Sequence, residues 1–373
     1  MKSFKHLFGV VPDCHTSGGY YRLLWRRHIY DGIRPLVDRL VTPEDLDFSW
    51  ARRGHDLALD PNQPERLETS EKLWTSIKRA HENRGLDAVI SYCFTDDLEP
   101  EVVRNTQALG VPWINFYCDS THMFSKVEAL ARLVSLNWFP ESAAIPRYTA
   151  LGVPHLCAPF AMNPDRLPDL NCRNPEHPVA FIGLPTTNRI TLLGCLRLHG
   201  CRTTIRGNGW LGENADPFYN PAPRSSRFLK ALFQPNLGEK LLRRALWPTV
   251  RKMAAGPLPD EEFNSFVRSC QVMLGLNQGK DAEGRFESYL KFRDVEFPGY
   301  GCCYVTEHNP DVERVFEVGR EVLTYRGMRE AAEQIKRVRK EPGRAASIGK
   351  AARERVLREH VWARRLEQLA NSL

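Results

Sequence analysis

The sequence predicts an α/β protein made of two Rossmann-like halves, each with a doubly wound parallel sheet. Apolar, strand-like runs alternate with amphipathic helical stretches over residues 5–151 and again over residues 178–325. Such alternation is typical of parallel βαβ units. A proline-rich stretch without periodicity, residues 155–168, separates the two series. The length of 373 residues also exceeds what a single core usually fills.

The first half, which we place at residues 1–160, opens with the strand-like run KHLFGVV and then repeats the strand and helix pattern. The predicted strands are 5–11, 86–94, 111–117 and 134–139, and the predicted helices are 20–40, 64–83, 99–109, 123–133 and 141–151. We place a hinge at residues 161–177, where proline is frequent and periodicity is lost.

The second half, residues 178–373, repeats the pattern with one interruption. The predicted strands are 179–183, 201–207, 272–276, 302–305 and 321–325, and the predicted helices are 187–198, 260–269 and a basic pair over 327–373. The helix at 260–269 carries acidic residues in its first turn, where the helix macrodipole favours them.

Composition excludes several classes of protein. The net charge of +7 favours anionic ligands but is too small to imply nucleic acid by itself. The N-terminal apolar run is too short for a signal peptide, and no run approaches the roughly 20 residues that span a bilayer. We therefore predict a cytoplasmic protein. The ten cysteines include no CxxC pair, so we expect reduced thiols and no metal site. Asp96 and Asp97 are predicted to begin a helix.

The interruption is a basic insertion at residues 212–256. Between residues 224 and 252 its basic residues are Arg224, Arg227, Lys230, Lys240, Arg243, Arg244, Arg251 and Lys252, against Glu239 alone. Leucine, phenylalanine and tryptophan residues lie between them, which predicts basic amphipathic helices. Such helices bind anionic membrane surfaces. The alternative is an arm whose apolar face packs on the body of the protein.

The stretch KFRDVEFPGYGCCYVTE, residues 291–307, predicts a helix that ends as the chain enters a buried strand. Arg293 and Glu296 are three residues apart and share one helical face. An arginine fork suits phosphate, and a carboxylate suits the vicinal hydroxyls of a ribose. The alternative is an exposed ion pair at a helix end.

Two loops of the first half also follow predicted strands. The first contains His15, Gly18 and Gly19 and leads into a helix N-terminus, which can receive an anion or a sugar hydroxyl. The second contains Asp119 and His122 after the strand at 111–117. Asp119 is alternatively the N-cap of the following helix.

The second half resembles the CgeB-like (spore-maturation-type) glycosyltransferases of GT-B fold. The motifs that carry the resemblance occur in the same order: FIG at 181–183 before Asn188-Arg189, TIRGNGW at 204–210, MLGLN ending at Asn277, FRDVEFPGYG, VTEH at 305–308, VFEVGREVLTY at 315–325 and REHVWARR at 358–365. The resemblance is weak over the first half. It implies a GT-B fold with a nucleotide-sugar donor in the second half and a glycan, lipid-linked or small-molecule acceptor in the first.

On this resemblance, Glu296 would hold the donor ribose and Gly183 would let the diphosphate approach the backbone. Arg189 and Arg293 would supply positive charge to it, while Gly207 and Asn277 would line the cleft at strand ends. Retaining members of this fold often carry two glutamates separated by seven residues. Counting back from Glu296 gives Ser288, and Glu287 is one residue off. The sequence therefore leaves the stereochemistry open.

The fold typically works without a metal or other cofactor, so we expect a metal-independent enzyme whose nucleotide-sugar is a co-substrate. An inverting mechanism needs a general base on the acceptor side, for which Asp119, His122 and His15 are the candidates. Two alternatives stay open. One is a sugar-nucleotide epimerase or hydrolase of the same architecture, and the other is a non-catalytic binding protein with a basic arm.

Overall fold

The computed structural model describes residues 3–11, 26–43, 64–118, 121, 123–167, 176–211, 237–280 and 286–373. Within these residues the chain forms two parallel sheets and a separate two-stranded hairpin. The predicted α/β fold class is therefore confirmed.

The first sheet lies wholly in the N-terminal half. Its strands are β1 (His6–Val10), β2 (Arg39–Val41), β3 (Ala88–Ser91), β4 (Trp113–Phe116), β5 (Leu136–Phe139) and β6 (His155–Cys157). They lie in the order β2-β1-β3-β4-β5-β6, and each neighbouring pair is parallel. Strands β3, β4 and β5 are buried along their whole length, as expected of a parallel sheet covered on both faces. The edge strands β2 and β6 were not predicted, because β2 overlaps the stretch predicted as a helix at 20–40 and β6 begins the proline-rich stretch 155–168.

The helices of the first half largely match the prediction. They are α1 (Asp31–Ile33), α2 (Pro64–Arg84), α3 (Pro100–Ala108), α4 (Phe124–Ala131) and α5 (Ile145–Ala150). The helix predicted at 20–40 is wrong in its second part. Arg26–Tyr30 is a π-helical turn, Arg34–Leu36 is a 3₁₀ turn, and the chain then enters β2. Pro35 has no backbone N–H to continue an α-helix, which explains the early end.

The second sheet contains β7 (His177–Ile182), β8 (Thr204–Arg206), β9 (Cys270–Leu274), β12 (Cys303–Glu307) and β13 (Leu323–Tyr325). Its order is β13-β12-β9-β7-β8, again with parallel neighbours. The hairpin consists of the antiparallel strands β10 (Gln278–Lys280) and β11 (Phe286–Ser288).

The second half has more helices at its C-terminal end than predicted. Its helices are α6 (Thr187–Leu198), α7 (Leu237–Arg251), α8 (Asp260–Arg268), α9 (Arg293–Gly299), α10 (Pro310–Val315), α11 (Met328–Lys340), α12 (Pro342–Glu359) and α13 (Trp362–Ser372). The basic pair predicted at 327–373 is wrong in number, because three helices cover this stretch. Pro342 begins α12 and separates it from α11, while an extended Val361 separates α12 from α13.

The basic insertion is described from residue 237 onward, where it forms α7. The apolar side of α7 packs against α6, and Leu246, Trp247 and Val250 are buried there. The ring centroids of Trp247 and Trp210 lie 6.0 Å apart. Residues 212–236, including the first predicted helix of the arm, lie outside the described residues. For the described part of the arm, packing on the body is confirmed.

The last helix returns to the first half of the molecule. The backbone N–H of Met162 donates to the carbonyl of His360 at 2.7 Å, and the indole N–H of Trp362 donates to the carbonyl of His28. The rings of Trp362 and Trp138 lie edge to face at 5.7 Å. Since Trp138 belongs to the first sheet, these contacts join the C-terminus of the chain to the N-terminal half.

Both sheets have the same topology. Counted within each half, the strand order is 2-1-3-4-5, and the first half adds a sixth strand. The chain direction across the sheet therefore reverses between β1 and β3 in the first half, and between β7 and β9 in the second. Ligands of such sheets bind outside the carboxyl ends of the strands at this switch point. The loop after β1 lies largely outside the described residues, whereas the loops of the second switch point lie within them.

Candidate functional site

The floor of the second switch point is a pair of glycines in backbone contact. Gly207, after β8, has a φ of 141°, and a Cβ at this position would collide with the carbonyl oxygen of Gly183. That oxygen also accepts a hydrogen bond from the indole N–H of Trp210 at 2.6 Å. The loops after β7 and β8 thus meet through their backbones. Glycine is required at Gly207 both for its φ and for this close approach.

Two arginines lie on one aromatic ring at the ends of β7 and β9. The guanidinium carbons of Arg189 and Arg293 lie 5.4 and 5.8 Å from the ring centroid of Phe181. Arg189 donates to the carbonyl of Leu276 at 3.3 Å, and Arg293 donates to the carbonyl of Ile182 at 3.1 Å. These contacts fix both cations at the carboxyl edge of the sheet. The structure therefore brings together two residues that are 104 positions apart in the sequence.

Asn277 connects β9 to helix α9 through Asp294. The amide of Asn277 donates to both carboxylate oxygens of Asp294, at 2.6 and 2.7 Å. Asp294 also accepts from the backbone N–H of Lys291 at 2.6 Å, from the hydroxyl of Tyr304 at 2.8 Å and from Thr306 at 3.2 Å. Asp294 is 1% exposed. This network fixes the start of α9, and hence Arg293 and Glu296, against the strand ends.

Burial raises the pKa of Asp294, while the hydrogen bonds from Lys291, Tyr304 and Asn277 and the charge of Arg293 oppose that rise. The same burial, together with the charge of Asp294, raises the pKa of Tyr304 well above its usual range. Tyr304 is therefore a neutral hydrogen-bond donor. Asp294 was not predicted as a site residue, because one aspartate within a charged stretch gives no sign of the four donors around it.

Glu296 projects toward the first half of the molecule. It is 3% exposed, and its Oε1 lies 3.5 Å from Nε2 of His28, itself 1% exposed. Oε1 of Glu296 accepts no hydrogen bond from the described residues. Burial raises the pKa of Glu296 well above its ordinary value. The ring of His28 also packs edge to face on Phe292, with centroids 4.6 Å apart.

The alternative of an exposed ion pair between Arg293 and Glu296 is wrong. Glu296 is buried, and its ionisable neighbour is His28 rather than Arg293. At Ser288, where a second glutamate was sought, the hydroxyl lies 3.5 Å from a carboxylate oxygen of Glu307. Glu307 ends β12 and accepts the backbone N–H of Asn277 at 2.7 Å. A carboxylate therefore does lie beside Ser288, contributed by a neighbouring strand.

The acceptor-side predictions lie outside the described residues. They are His15, Gly18, Gly19, Asp119 and His122. Each stays a prediction. In contrast, Gly183, Arg189, Gly207, Asn277, Arg293 and Glu296 all lie around the second switch point. His28 was missed because it lies inside a stretch that was predicted as one continuous helix. Its contact partner Glu296 is 268 positions away in the sequence.

In the part of the chain that the structure describes, no three His, Cys, Asp or Glu residues come together as metal ligands. No described helix is both long and apolar enough to cross a membrane. Asp96 and Asp97 lie in a 3₁₀ turn, where Asp97 accepts the backbone N–H of Phe94 at 2.8 Å. Their structural role at a helix start is confirmed.

Solved structures similar to this chain extend over nearly its whole length. Sucrose-phosphate synthase from Thermosynechococcus elongatus has a TM-score of 0.59 and 13% identity, covering 98% of each chain. HepE of Anabaena in complex with UDP-glucose has a TM-score of 0.57 and 14% identity, covering 99% of this chain and all of that one. A glycosyltransferase from Rickettsia africae has a TM-score of 0.59 and 10% identity, covering 98% and 97%. These similarities establish the GT-B fold.

The family comparison adds the class of enzyme. Residues 191–371 match the family described as glycosyl transferase-like. The matched segment includes Gly207, Asn277, Arg293 and Glu296, four of the residues gathered at the second switch point. No curated protein matches the sequence. The protein is a glycosyltransferase of GT-B fold, and the family that its C-terminal half matches is the glycosyl transferase-like family.

Proposed function

We propose that this glycosyltransferase takes its sugar from a nucleotide-sugar whose diphosphate binds between Arg189 and Arg293. The observation that carries the proposal is the meeting of both guanidinium groups on the ring of Phe181, at the switch point of the second sheet. Arginine forks bind phosphate oxygens in pairs. At the same edge, Gly183 and Gly207 have no side chains, so a diphosphate can approach their backbone.

The chemistry of glycosyl transfer needs positive charge at this edge. The transition state resembles an oxocarbenium ion, while negative charge builds up on the departing nucleoside diphosphate. Fixed cations that contact the leaving group stabilise that charge without reorganising. Arg189 and Arg293 meet this requirement, because backbone carbonyls already hold their guanidinium groups in place.

Glu296 is the proposed ligand of the donor ribose. Its Oε1 is buried and short of a hydrogen-bond donor, a situation that costs on the order of 1–3 kcal/mol. Two ribose hydroxyls would supply the missing donors and favour the ionised carboxylate. His28 covers this oxygen, so ribose binding requires the His28 ring to move aside or to share the carboxylate. HepE was solved with UDP and with UDP-glucose, which makes UDP the first nucleotide to test.

The acceptor is proposed to bind on the first half, where the candidate bases Asp119, His122 and His15 lie. A glycan, a lipid-linked sugar and a small molecule are the acceptor classes, and the CgeB-like subtype is the proposed relationship. Catalysis without a metal ion also stays a proposal. The sequence contains Asp45-Leu46-Asp47, an Asp-x-Asp triplet that lies outside the described residues.

We also propose that the segment 224–252 contacts an anionic membrane surface from the cytoplasmic side. Within it, Leu241 and Leu242 of α7 are 59% and 44% exposed although the opposite side of the helix is buried. Arg244 is exposed beside them. Exposed leucines next to arginines suit the boundary between lipid headgroups and acyl chains.

A thermal-shift panel of UDP, GDP, ADP and their sugar derivatives tests the donor proposal. A nucleotide that binds only the folded protein stabilises it by about 2.7 kcal/mol at a hundredfold excess over its dissociation constant. We expect one base to be preferred, and Arg189→Gln or Arg293→Gln to weaken binding at least tenfold. Arg329→Gln removes an exposed arginine on α11 and should leave binding unchanged. If no nucleotide stabilises the protein, the donor proposal is wrong.

Product analysis separates the alternative activities. A transferase consumes the nucleotide-sugar only when an acceptor is added, whereas a hydrolase releases free sugar without one and an epimerase yields an isomeric nucleotide-sugar. A non-catalytic binding protein leaves the nucleotide-sugar unchanged in every case.

Vesicle cosedimentation tests the membrane proposal. Wild type should pellet with vesicles that contain anionic lipid but not with neutral ones, and the double change Arg243→Glu and Arg244→Glu should abolish this. The matched control is the double change Arg329→Glu and Arg337→Glu on α11. Equal sedimentation of all variants, or none of wild type, contradicts the proposal.

A further inference from the structure

A cavity lies away from the switch point, on the side where the last helix joins the first half. It has a volume of about 570 Å³ and is lined by Cys157 at the end of β6 and the two residues that follow it, by the end of α12 and by one side of α13. Volumes of 300–1,000 Å³ are usual for sites that bind small molecules. None of the residues proposed to bind the donor lines this cavity.

One wall of the cavity carries a buried guanidinium group that lacks an acidic partner. Arg365 is 1% exposed, and within the described residues its guanidinium group makes one hydrogen bond, from Nη1 to the side-chain oxygen of Gln368. Its Nε is buried without an acceptor. The guanidinium carbon lies 5.5 Å from the ring centroid of Trp138. Buried charges in proteins are normally paired or bound to a ligand.

The carboxylates that line the same cavity are already paired with other arginines. Glu359 lies 2.7 Å from Arg355 and 2.9 Å from Arg358, and Glu367 lies 3.3 Å from Arg364. None of these pairs includes Arg365. The cavity therefore keeps an excess positive charge on its most buried cation. Burial lowers the pKa of Arg365 to about 9, so the group stays protonated at neutral pH.

A second buried nitrogen without a partner lines the cavity. Nε2 of His360 lies 3.4 Å from the carbonyl oxygen of Val315, whereas Nδ1 is buried without a partner. Burial, followed by the charge of Arg365, lowers the pKa of His360 to about 4. The imidazole is therefore neutral at pH 7. If Nε2 donates to Val315, then Nδ1 is an acceptor that a ligand hydroxyl can satisfy.

We propose that this cavity binds a small hydroxylated oxyanion, such as a sugar phosphate or a hydroxy acid. Arg365 binds the phosphate or carboxylate group, and His360 accepts from a hydroxyl. Because the lining residues come from the linker after β6 and from the returning helix α13, the bound anion links the first half to the C-terminal helix. The site is independent of the proposed donor site.

The experiment is titration of the full-length protein with inorganic phosphate and with gluconate, each against potassium chloride at equal ionic strength, followed by unfolding temperature and calorimetry. We expect saturable stabilisation of wild type by at least one of them. Gln368→Glu gives Arg365 an internal carboxylate and should weaken binding at least tenfold. Asn371→Glu, an exposed lining residue, is a second variant in case Gln368→Glu fails to fold. Arg329→Gln should bind as wild type does.

The outcomes assign the site without ambiguity. A response to phosphate alone assigns a phosphate group to the site, and a response to gluconate alone assigns a carboxylate. Stabilisation no greater than that by potassium chloride overturns the proposal. Loss of the response in Arg189→Gln, with retention in Gln368→Glu and Asn371→Glu, assigns the anion to the donor site and also overturns it. Because nucleotide binding is measured separately, either proposal can fail without the other.

Discussion

Replacing Asp294 by alanine is the most informative single change in the second half of the protein. The carboxylate accepts hydrogen bonds from Asn277, Tyr304, Thr306 and the backbone of Lys291 at 2.6–3.2 Å. Alanine has no acceptor for these four donors. They would stay without this acceptor in a site where Asp294 itself is only 1% exposed. The donors belong to β12 and to the segments that follow β9 and precede α9, so the loss affects the geometry of Arg293 and Glu296 together.

The magnitude follows from the number of hydrogen bonds and from the burial of the charge. Each hydrogen bond to a charged group contributes about 1.5–3 kcal/mol, and the contributions of neighbours are not additive. Burial raises the pKa of Asp294, so desolvation offsets part of this sum. We therefore expect a loss of about 3–5 kcal/mol. A domain of this size loses roughly 2–4 °C per kcal/mol, so the unfolding temperature should fall by about 6 °C or more.

The assay is thermal unfolding with a parallel nucleotide titration. The control is Glu333→Ala, which removes a carboxylate that forms an exposed pair with Arg329 at 2.9 Å. Such pairs contribute about 0.3–0.5 kcal/mol. If Asp294→Ala lowers the unfolding temperature no more than the control does, then Asp294 does not hold the strand ends to α9, and that inference is wrong.

Three further predictions concern pH and backbone geometry. Because burial raises the pKa of Glu296, wild type should lose stability relative to Glu296→Gln as pH rises above about 4.5, and Glu296→Gln should bind nucleotide more weakly. Unfolding temperatures from pH 4 to 8 check the sign, and equal pH profiles contradict it. Since the pKa of His360 is lowered to about 4, wild type should lose about 2 kcal/mol relative to His360→Gln between pH 7 and pH 5. Gly207→Ala should reduce both stability and nucleotide affinity, because the added Cβ would collide with the Gly183 carbonyl. Gly200 also has a positive φ but has no neighbour within 4 Å of an added Cβ, so Gly200→Ala should reduce stability alone.

Local patterns were sufficient to predict most of the fold. Long apolar runs such as residues 86–94 became buried strands, and the helix with an acidic first turn at 260–269 formed within one residue of its predicted end. The edge strands β2 and β6 were missed because β2 overlaps a stretch with a helical pattern and β6 begins a proline-rich stretch without periodicity. The break between α12 and α13 was missed because it depends on tertiary contacts of Trp362 with the first half.

The candidate site was only partly visible in the sequence. Arg189, Arg293 and Glu296 were selected from the pattern of strands and turns together with the family resemblance, and the fold places them around one switch point. Their arrangement was not predictable, because Glu296 meets His28 rather than Arg293. Neither Asp294 as the centre of a buried network nor Arg365 as a buried cation without a carboxylate has a signature in sequence. Such groups are defined by neighbours that are distant along the chain.

The central claim is that the donor diphosphate binds at the switch point of the second sheet. A crystal structure of the protein with UDP tests it most directly. We predict diphosphate oxygens within hydrogen-bond distance of Arg189 and Arg293, ribose hydroxyls on the carboxylate of Glu296, and the ring of His28 displaced from its position 3.5 Å from Oε1. UDP bound elsewhere, with Glu296 still covered by His28 and neither Arg189 nor Arg293 in contact with the diphosphate, would contradict the claim.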